Sequence, residues 1–294
     1  MKLIKQSFEI LDQQCGLEGI YKQIEISGRT CYKSEDKITE DSAKEFVDRM
    51  IKSGHGAMLE HGTVYLAIPI SEWRCTDDYR DSYISNPYSN VNDSLVDWEN
   101  NEGTVYITTN LRVLVENGWL DDLQYICEPT EYHEKRITVK FTTDQGILRE
   151  FTRHRVFSFA VESTRYCNYT KDKFSNEVTF IQPNWISDED VKDYHINYNY
   201  FIDQDNNHIT AVNRFMSALK NAEYFYMELI KLGWKPQQAR NILPLATKCD
   251  MVVTGFVSDW LHFFALRDAA SAHPQAQELA HSLHETFIQR GLIK

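Results

Sequence analysis

The sequence predicts an α+β fold in a single domain that spans residues 1–294. Some segments alternate apolar and polar residues with the period of two that is typical of strands, and others repeat apolar residues with the period of a helix. The two kinds of segment do not follow the regular strand–helix–strand order of a doubly wound parallel sheet. No linker rich in proline, glycine or serine divides the chain, which favours one domain.

The first predicted helix begins after Asp41 and ends at Gly54. The apolar residues of its predicted buried face recur at i, i+3, i+4, i+7 and i+8, and they are Ala43, Phe46, Val47, Met50 and Ile51. We expect the Asp41 side chain to cap the start of this helix. Gly54 can adopt the left-handed conformation that often ends a helix.

Four further segments have the composition and alternation of strands. They cover residues 63–68, residues 104–109, the stretch that contains Ile137, Val139 and Phe141, and residues 177–181. The first and the last of these segments are followed by prolines, Pro69 and Pro183. Proline ends such segments because it cannot donate a hydrogen bond to the ladder.

Two polar segments separate the predicted elements. Residues 77–103 are rich in Asn, Asp and Ser without a clear period, so we interpret them as an inserted loop, and residues 203–207 form a second polar break. A long helix is predicted next, with Gly233 at its end and an apolar face made of Val212, Phe215, Met216, Leu219, Ala222, Tyr226 and Leu229. Shorter helices are predicted to begin near Pro236, Ser258 and Pro274.

The charge balance and the cysteine pattern exclude several classes of protein. The chain contains 31 Lys and Arg against 43 Asp and Glu, a net charge of −12, which opposes the binding of a nucleic-acid polymer. The six cysteines form no C-x-x-C pair, which indicates free thiols in a reducing compartment rather than a zinc or disulfide framework. No apolar run predicts a membrane span or a signal peptide. We therefore expect a cytoplasmic protein whose partners are small molecules.

A group of basic residues stands out in this acidic chain. The group consists of Arg153, His154, Arg155 and Arg165. A guanidinium is a planar, permanently charged fork that suits phosphate oxygens, and Ser163 and Thr164 can add further donors. The pattern indicates a mononucleotide or dinucleotide pocket. The alternative is a structural network of ion pairs with Glu150 and Glu162, since such networks also concentrate charge.

The spacing within this group resembles the signature of flavin-dependent thymidylate synthases, which is Arg-His-Arg, seven residues and then Ser. Arg153, His154, Arg155 and Ser163 match it. Residues 54–61 resemble the family's His-x-x-x-x-Glu-His segment, residues 238–244 resemble its Ala-Arg-x-x-Leu-Pro block, and residues 262–267 resemble the helix that ends in its uracil-activating arginine. The resemblance spans roughly residues 29–280, with residues 77–103 as an apparent insertion.

The resemblance implies a fold, a reaction and a set of ligands. It implies a central mixed or antiparallel sheet flanked by helices. The implied reaction is the reductive methylation of dUMP to dTMP, with FAD as hydride carrier, methylenetetrahydrofolate as carbon donor and NADPH as reductant, and without a cysteine nucleophile. It also implies a homotetramer whose sites are shared between copies. A bound metal is not implied.

The resemblance assigns roles to individual residues. The implied catalytic residue is Arg267, whose cation would stabilise negative charge on the pyrimidine edge. The residues implied for dUMP are Glu150, Arg153, Glu162, Ser163, Thr164, Arg165, Arg240 and Arg267. The residues implied for FAD and folate are His55, Ala57, Glu60, Arg153, His154, Arg155, Val156, Ser258 and His262.

The chain departs from the family pattern at several positions. Ala160 and Val161 stand where members often carry Asn-Glu, and Glu150 stands where Gln is frequent. Ala57 replaces a frequent hydroxyl residue. Phe256 and Ser258 occupy positions where polar or basic flavin contacts occur. These departures leave open a nucleotide- or flavin-binding homologue with lost or altered pyrimidine specificity.

Two other chemistries also remain open on the residues alone. A metalloenzyme would use His55, Glu60 and His61, although Gly54 and Gly56 disfavour the helical face on which zinc-binding histidines are usually paired. A cysteine-nucleophile enzyme would use Cys167, with Arg165 lowering the pKa of its thiol. No histidine lies next to Cys167 in the sequence to act as its base.

Overall fold

The computed structural model describes residues 1–73, 82–192 and 210–293. The strands in these ranges are β1 (Lys2–Ile4), β2 (Ser7–Ile10), β3 (Thr63–Pro69), β4 (Asn90–Asn92), β5 (Thr104–Asn110), β6 (Arg136–Asp144), β7 (Ser158–Val161), β8 (Thr179–Ile181) and β9 (Lys248–Phe256). The helices that frame them are α1 (Gly16–Tyr32), α2 (Ser42–Lys52), α3 (Gly56–Leu59), α4 (Leu111–Asn117), α5 (Gln145–Phe151), α6 (Asp188–Lys192), α7 (Ala211–Lys231), α8 (Pro236–Ala239), α9 (Val257–Arg267) and α10 (Pro274–Gln289).

The strands of the described ranges form three sheets. The largest has the order β2-β6-β9-β7, and all of its pairs are antiparallel. A three-stranded antiparallel sheet has the order β3-β5-β4, and β1 and β8 form a parallel pair. The α+β class is therefore confirmed, whereas the single central sheet that the family resemblance implies is replaced by three sheets.

The four-stranded sheet packs against α9 and α10. Val139 and Phe141 of β6 are fully buried and meet Trp260 and Phe263 of α9 and Leu283 of α10 in one apolar core. Burying side chains of this size stabilises the fold by about 1.5–3 kcal/mol each. This packing fixes the direction of α9 and therefore the position of the residue at its C-terminal end.

A second core lies between the three-stranded sheet and helices α1 and α2. Val64, Leu66 and Ile68 alternate along β3 and are at most 1% exposed. Ile20 of α1 and Phe46 of α2 belong to the same core. The predicted alternation of residues 63–68 is confirmed, and so are the predicted strands at residues 104–109 and around Val139.

The residue pattern does not predict α1, a 17-residue helix. Its buried side mixes the apolar Ile20 and Ile24 with polar or small residues such as Gln23 and Gly28, which obscures the helical period. A Cβ atom at Gly28 would lie 2.5 Å from Cζ of Phe46, so close packing of α1 against α2 requires glycine there.

The predicted helix after Asp41 is confirmed as α2, but its predicted cap is wrong. Asp41 occupies the N-cap position without a side-chain hydrogen bond to the helix. Gly54 has a φ of 69° and adopts the left-handed conformation expected after the helix. The strand predicted at residues 177–181 is shorter and forms β8, which begins at Thr179.

The interpretation of residues 77–103 as a loop is only partly correct. Residues 74–81 lie outside the described ranges. Beyond them, β4 pairs with β5 through Val91 and Ile107, so this stretch extends a sheet. Tyr83 is fully buried, and its hydroxyl donates to Asp122 at 3.0 Å. Part of the segment therefore belongs to the core.

The long predicted helix is confirmed as α7, and the shorter ones as α8, α9 and α10. Leu219 and Tyr226 of α7 are buried against Phe180 of β8, and Gly233 follows the helix with a φ of 95°. The polar break at residues 203–207 lies outside the described ranges. Within those ranges, no helix combines the length and apolarity needed to cross a bilayer.

Candidate active site

Helix α5 connects β6 to the arginine-rich turn. Asp144 at the end of β6 accepts a hydrogen bond from the backbone N–H of Ile147 at 2.8 Å and thereby caps the helix. Ile147 and Phe151 bury one side of α5 in the core of the four-stranded sheet. Arg149 is exposed and Glu150 is half-buried.

Helix α9 brings a distant arginine to α5. Trp260, Phe263 and Phe264 are buried and anchor α9, and Arg267 is its last residue. Its guanidinium donates from Nη1 to Glu150 Oε2 at 2.9 Å and from Nη2 to the Glu150 carbonyl at 2.8 Å. Residues 117 positions apart are thus joined by two hydrogen bonds.

A third hydrogen bond fixes the plane of this guanidinium. Arg267 Nε donates to His154 Nε2 at 3.0 Å. An arginine has five N–H donors, so the contacts to Glu150 and His154 leave two of them without a partner in this group. The Arg267 side chain is only 16% exposed, which limits the directions in which those donors can point.

His154 can accept this hydrogen bond because its ring is neutral. Burial, together with the neighbouring charges of Arg267 and His262, lowers the pKa of His154 to about 4. Near pH 7 the ring therefore carries one proton, which must sit on Nδ1 while Nε2 accepts from Arg267. The His154 ring also packs at 5.1 Å from the ring of Phe263, measured between centroids.

Two surface depressions adjoin these residues. The first, the Arg267 depression, has a volume of about 480 Å³ and is lined by Arg149, Glu150, Arg153, Leu266, Arg267, Ser271, Ala272 and His273. The second, the Arg240 depression, has a volume of about 310 Å³ and is lined by Gln145, Arg149, Thr164, Arg240, Asn241, Leu243, Pro244, Leu245 and Thr247. Arg149 lines both of them.

The Arg240 depression is shaped by two loops. Arg240 follows the short helix α8, and its Nη1 donates to Thr164 Oγ1 at 3.0 Å. Thr164 lies in the turn after β7, where the Ser163 N–H donates to the Cys31 carbonyl at 3.0 Å. The exposed Arg165 places its guanidinium 5.5 Å from the centre of the Tyr166 ring.

Glu162 lies in neither depression. It belongs to a buried cluster, the lysine–carboxylate cluster, which consists of Lys33, Glu162, Lys248 and Asp250. Glu162 Oε2 accepts from Lys248 Nζ at 2.9 Å and from the Asp250 N–H at 3.0 Å. Glu162 is therefore part of an ion-pair network, but with lysines and not with the arginine group that the sequence analysis considered as its partner.

The residues implied for FAD divide into two groups. Arg155, Val156 and His262 are exposed, and His262 lies 6.1 Å from His154 between ring centroids. Exposed guanidinium, aliphatic and imidazole groups beside an arginine face fit a cofactor with an anionic pyrophosphate and planar rings.

The second group lies at α3 and at the start of α9, the helix that also contains His262. His55 and Ala57 are exposed at α3, and the buried Glu60 is ion-paired with Arg112. Ser258 donates its backbone N–H to Glu134 at 3.1 Å. These side chains do not line either depression.

One departure from the family pattern has a structural explanation. Ala160 is fully buried in β7 opposite Val252 of β9. A small apolar residue there completes the sheet packing. Val161 is half-buried, and neither residue lines a depression.

The structure also bears on the two other chemistries. Glu60 pairs with Arg112, and His61 Nδ1 lies 2.8 Å from Thr254 Oγ1, so these candidate ligands have separate partners. Among the described residues, no group of three His, Cys, Asp or Glu side chains could hold a metal. Cys167 is 1% exposed, with its Sγ 3.6 Å from the Glu162 carboxylate, which opposes a thiolate.

The structure therefore brings together some predicted residues and adds one. Glu150, Arg153 and Arg267 line one depression, His154 is hydrogen-bonded to Arg267, and Thr164 and Arg240 line the other depression. Arg149 was not predicted, because the family signature begins four residues later. The sequence indicated Arg149 only as a further basic residue, four positions before the group that begins at Arg153.

Comparison with known families locates the same part of the chain. A family model described as thymidylate synthase complementing protein matches residues 129–290. A protein named flavin-dependent thymidylate synthase from Synechocystis sp. is 27% identical over 154 residues, which is 52% of this chain and 66% of the relative. A protein of the same name from Halobacterium salinarum is 27% identical over 158 residues, which is 49% of this chain and 59% of the relative. The chain thus spans less than two thirds of the length of these relatives.

A solved structure is similar over most of the chain but only weakly. The UMP/dUMP methylase PolB from Streptomyces cacaoi, bound with 5-Br dUMP, matches 98% of this chain and 93% of its own. The sequence identity is 18% and the TM-score is 0.43. A TM-score of this size is too low to establish a shared fold.

Proposed function

Because the chain belongs to the thymidylate synthase complementing protein family, we propose that it is a flavin-dependent thymidylate synthase that methylates dUMP to dTMP. The family match over residues 129–290 includes every residue that lines the two depressions. The observation that carries the proposal is the position of the Arg267 guanidinium. Glu150 and His154 hold it at the edge of a depression, and two of its N–H groups are not used by these contacts.

The proposed role of Arg267 follows from the charge that the reaction creates. Methylation at C5 of a uracil requires electron density at that carbon, and negative charge then spreads over N3 and the adjacent oxygen. A guanidinium offers two N–H groups side by side, which match two neighbouring acceptors. A donor already in position stabilises the developing charge without reorganisation during the reaction.

Glu150 and His154 are proposed as positioning residues for Arg267. Their three hydrogen bonds restrain a side chain that otherwise has several rotatable bonds. His154 serves only while it is neutral, because a protonated ring would lose its acceptor and repel the guanidinium. Arg153 lines the same depression and would contact the nucleotide beside Arg267.

The proposed phosphate end of the nucleotide lies towards the Arg240 depression. Thr164 and Arg240 line this depression and are hydrogen-bonded to each other. Ser163 and Arg165 flank Thr164 in the same turn, so all four would serve the phosphate. Glu162 would act indirectly, because its carboxylate fixes the end of β7 from which this turn starts.

FAD is proposed as the cofactor, with Arg155, Val156 and His262 among its contacts. When bound, it would supply the hydride that reduces the transferred methylene to a methyl group. His154 would shape the same surface from the buried side. His55, Ala57, Glu60 and Ser258 also remain proposed cofactor residues.

The remaining proposals concern co-substrates and assembly. We propose methylenetetrahydrofolate as carbon donor, NADPH as reductant and a cytoplasmic homotetramer whose sites are shared between copies. Active sites shared between copies would explain two features. Both depressions are open to the surface, and α3, whose residues are proposed for the cofactor, lies away from them. Light scattering on a sizing column would measure the mass, and a monomer that is fully active would contradict shared sites.

A single assay tests the proposed function. The purified protein should show flavin absorbance and should form dTMP from dUMP when methylenetetrahydrofolate, FAD and NADPH are present. Omitting dUMP, methylenetetrahydrofolate or NADPH should abolish product, and removing the bound flavin should do the same until FAD is added back. Turnover that persists without flavin, or no dTMP under conditions in which FAD and dUMP both bind, would contradict the proposal.

One observation favours a second candidate, a homologue with altered pyrimidine specificity. Glu150 places a carboxylate on Arg267 where the family frequently carries an amide, and it offsets the positive charge offered to the base. Comparing uracil and cytosine nucleotides as substrates distinguishes the two candidates. NADPH oxidation with FAD and dUMP but without dTMP would favour a homologue that has lost methylation.

A further inference from the structure

Arg149 occupies the junction of the two depressions. It is exposed on α5, one residue before Glu150, and it lines both the Arg267 and the Arg240 depressions. Glu150 is committed to Arg267. Among the described residues, no ion pair or side-chain hydrogen bond involves the Arg149 guanidinium. Its charge is therefore available to a ligand in either depression.

The Arg240 depression has an uncompensated positive charge. Arg149 and Arg240 line it, and no Asp or Glu is present among the described residues around it. The remaining polar lining consists of amide and hydroxyl side chains, namely Gln145, Asn241, Thr164 and Thr247. Two guanidinium groups and several neutral donors without a carboxylate favour an anion that accepts many hydrogen bonds. In a chain with a net charge of −12, this local imbalance is informative.

The size of the Arg240 depression and its free donors indicate which kind of anion it can bind. Its volume is about 310 Å³, and the Arg240 guanidinium uses one donor on Thr164. The other donors of Arg240 and all those of Arg149 remain for a ligand. A phosphate monoester accepts several charge-assisted hydrogen bonds and suits two arginines better than a carboxylate does.

We propose that Arg149 is a phosphate-binding residue that joins Arg240 in holding the phosphate of a nucleoside monophosphate, while the base lies towards Arg267. The assignment of the monophosphate to dUMP rests on the proposed function. The phosphate site itself does not, because it follows from the lining of the Arg240 depression. Arg149 then links the subsite for phosphate to the subsite for the base.

The test compares ligands with and without phosphate. Calorimetry should measure the affinities of dUMP, deoxyuridine and inorganic phosphate for the wild type and for Arg149→Ala, Arg149→Lys and Arg214→Ala. Arg214 is exposed on α7 and lines neither depression, so it controls for loss of a surface charge. Circular dichroism of each variant checks that it is folded.

We expect Arg149→Ala to lower the affinity for dUMP and for inorganic phosphate about 10- to 100-fold. The affinity for deoxyuridine should not change. Arg149→Lys should recover part of the loss because it keeps the charge without the planar fork. Arg214→Ala should match the wild type. Raising the salt concentration should narrow the difference between the wild type and Arg149→Ala.

The outcomes separate this inference from the proposed function. Unchanged affinity of Arg149→Ala for dUMP and phosphate would overturn the role of Arg149 while leaving the synthase proposal intact. An equal loss of affinity for dUMP and for deoxyuridine would also overturn the role of Arg149, since the effect of the substitution would then not depend on phosphate. If phosphate binds in an Arg149-dependent way but dUMP does not bind, the anion site stands and the proposed substrate fails.

Discussion

The lysine–carboxylate cluster and the arginine-rich face contain the same kinds of charge, yet they differ in balance. The cluster joins two lysines, Lys33 and Lys248, to Glu162 and Asp250, and no side chain in it is more than 17% exposed. The arginine-rich face consists of Arg149, Arg153, Arg240 and Arg267, and Glu150 is the one carboxylate among the described residues that lines either depression.

This difference in charge balance indicates a structural role for the lysine–carboxylate cluster and a ligand-binding role for the arginine-rich face. Buried charges cost free energy unless they are paired, and the lysine–carboxylate cluster pairs each cation with an anion. Burial alone would raise the pKa of Asp250, but Lys248 and Lys33 hold the pKa of that carboxyl below its ordinary value. On the arginine-rich face Arg267 is paired with Glu150, whereas no ion pair involves Arg149, Arg153 or Arg240 among the described residues, so an external anion can balance these three charges. Local charge balance thus distinguishes the two groups better than charge density does.

The largest expected effect comes from breaking the buried cluster. Glu162→Ala leaves Lys33 and Lys248 to share the single carboxylate of Asp250, and an uncompensated buried charge costs about 3–5 kcal/mol. Urea denaturation should show a corresponding loss in the free energy of unfolding. Glu162→Gln keeps an acceptor and should lose less. Stability of Glu162→Ala equal to that of the wild type would contradict a structural role.

Acid should act on the cluster in the same direction. The folded-state pKa of Asp250 lies below its ordinary value of 3.8, so its contribution to stability is present above that value and is lost as the pH falls below it. Unfolding measured between pH 6 and pH 3 should show this loss in the wild type. Asp250→Asn, which cannot ionise, should have a flatter profile over the same range.

On the arginine-rich face, the largest effect is expected for Arg267→Ala. Removing a donor that stabilises charge in the transition state typically lowers kcat by about 100- to 1,000-fold. Bound flavin should be largely retained, since the exposed flavin residues are untouched. Steady-state dTMP formation and flavin absorbance measure the two properties. Undiminished turnover, or loss of flavin, would contradict the proposed role of Arg267.

Variants of Glu150 separate positioning from charge. Glu150→Ala should lower kcat about tenfold because Arg267 loses the side-chain partner that orients it. Glu150→Gln keeps a hydrogen-bond acceptor and should stay within about threefold of the wild type. Separate values of kcat and KM are needed for each variant. A similar loss in both variants would mean that the negative charge, rather than the orientation, is required.

The smallest effect concerns the protonation of His154. Its pKa is lowered to about 4, first by burial and then by Arg267 and His262, so the ring should remain neutral down to about pH 5. In Arg267→Ala, the pKa of His154 should rise towards its ordinary value of 6.5, because one neighbouring positive charge is lost. Histidine proton shifts in an NMR titration measure both values. An unchanged pKa in the variant would show that the two side chains are not coupled in solution.

Local residue patterns were sufficient to predict the elements of this protein that depend on neighbouring residues in the chain. Periodicity placed α2 and α7 and the strand β3, and Gly54 and Gly233 marked helix ends because their left-handed conformations are local properties. The spacing of Arg153, His154, Arg155 and Ser163 indicated the family, which the match over residues 129–290 confirms. Periodicity failed for α1, whose close contact with α2 is made by small and polar residues.

The distribution of charges between the interior and the surface depends on how the elements pack. Lys33, Glu162 and Lys248 are far apart in sequence, and no spacing predicts that they share a buried cluster. Arg267 meets Glu150 because α9 is fixed by a core that its apolar residues form with the sheet. A residue pattern records which side chains are present, whereas pairing depends on distance, and distance is set by packing. Packing is therefore the reason that Glu162 lies in the buried cluster and that Arg149 lines both depressions.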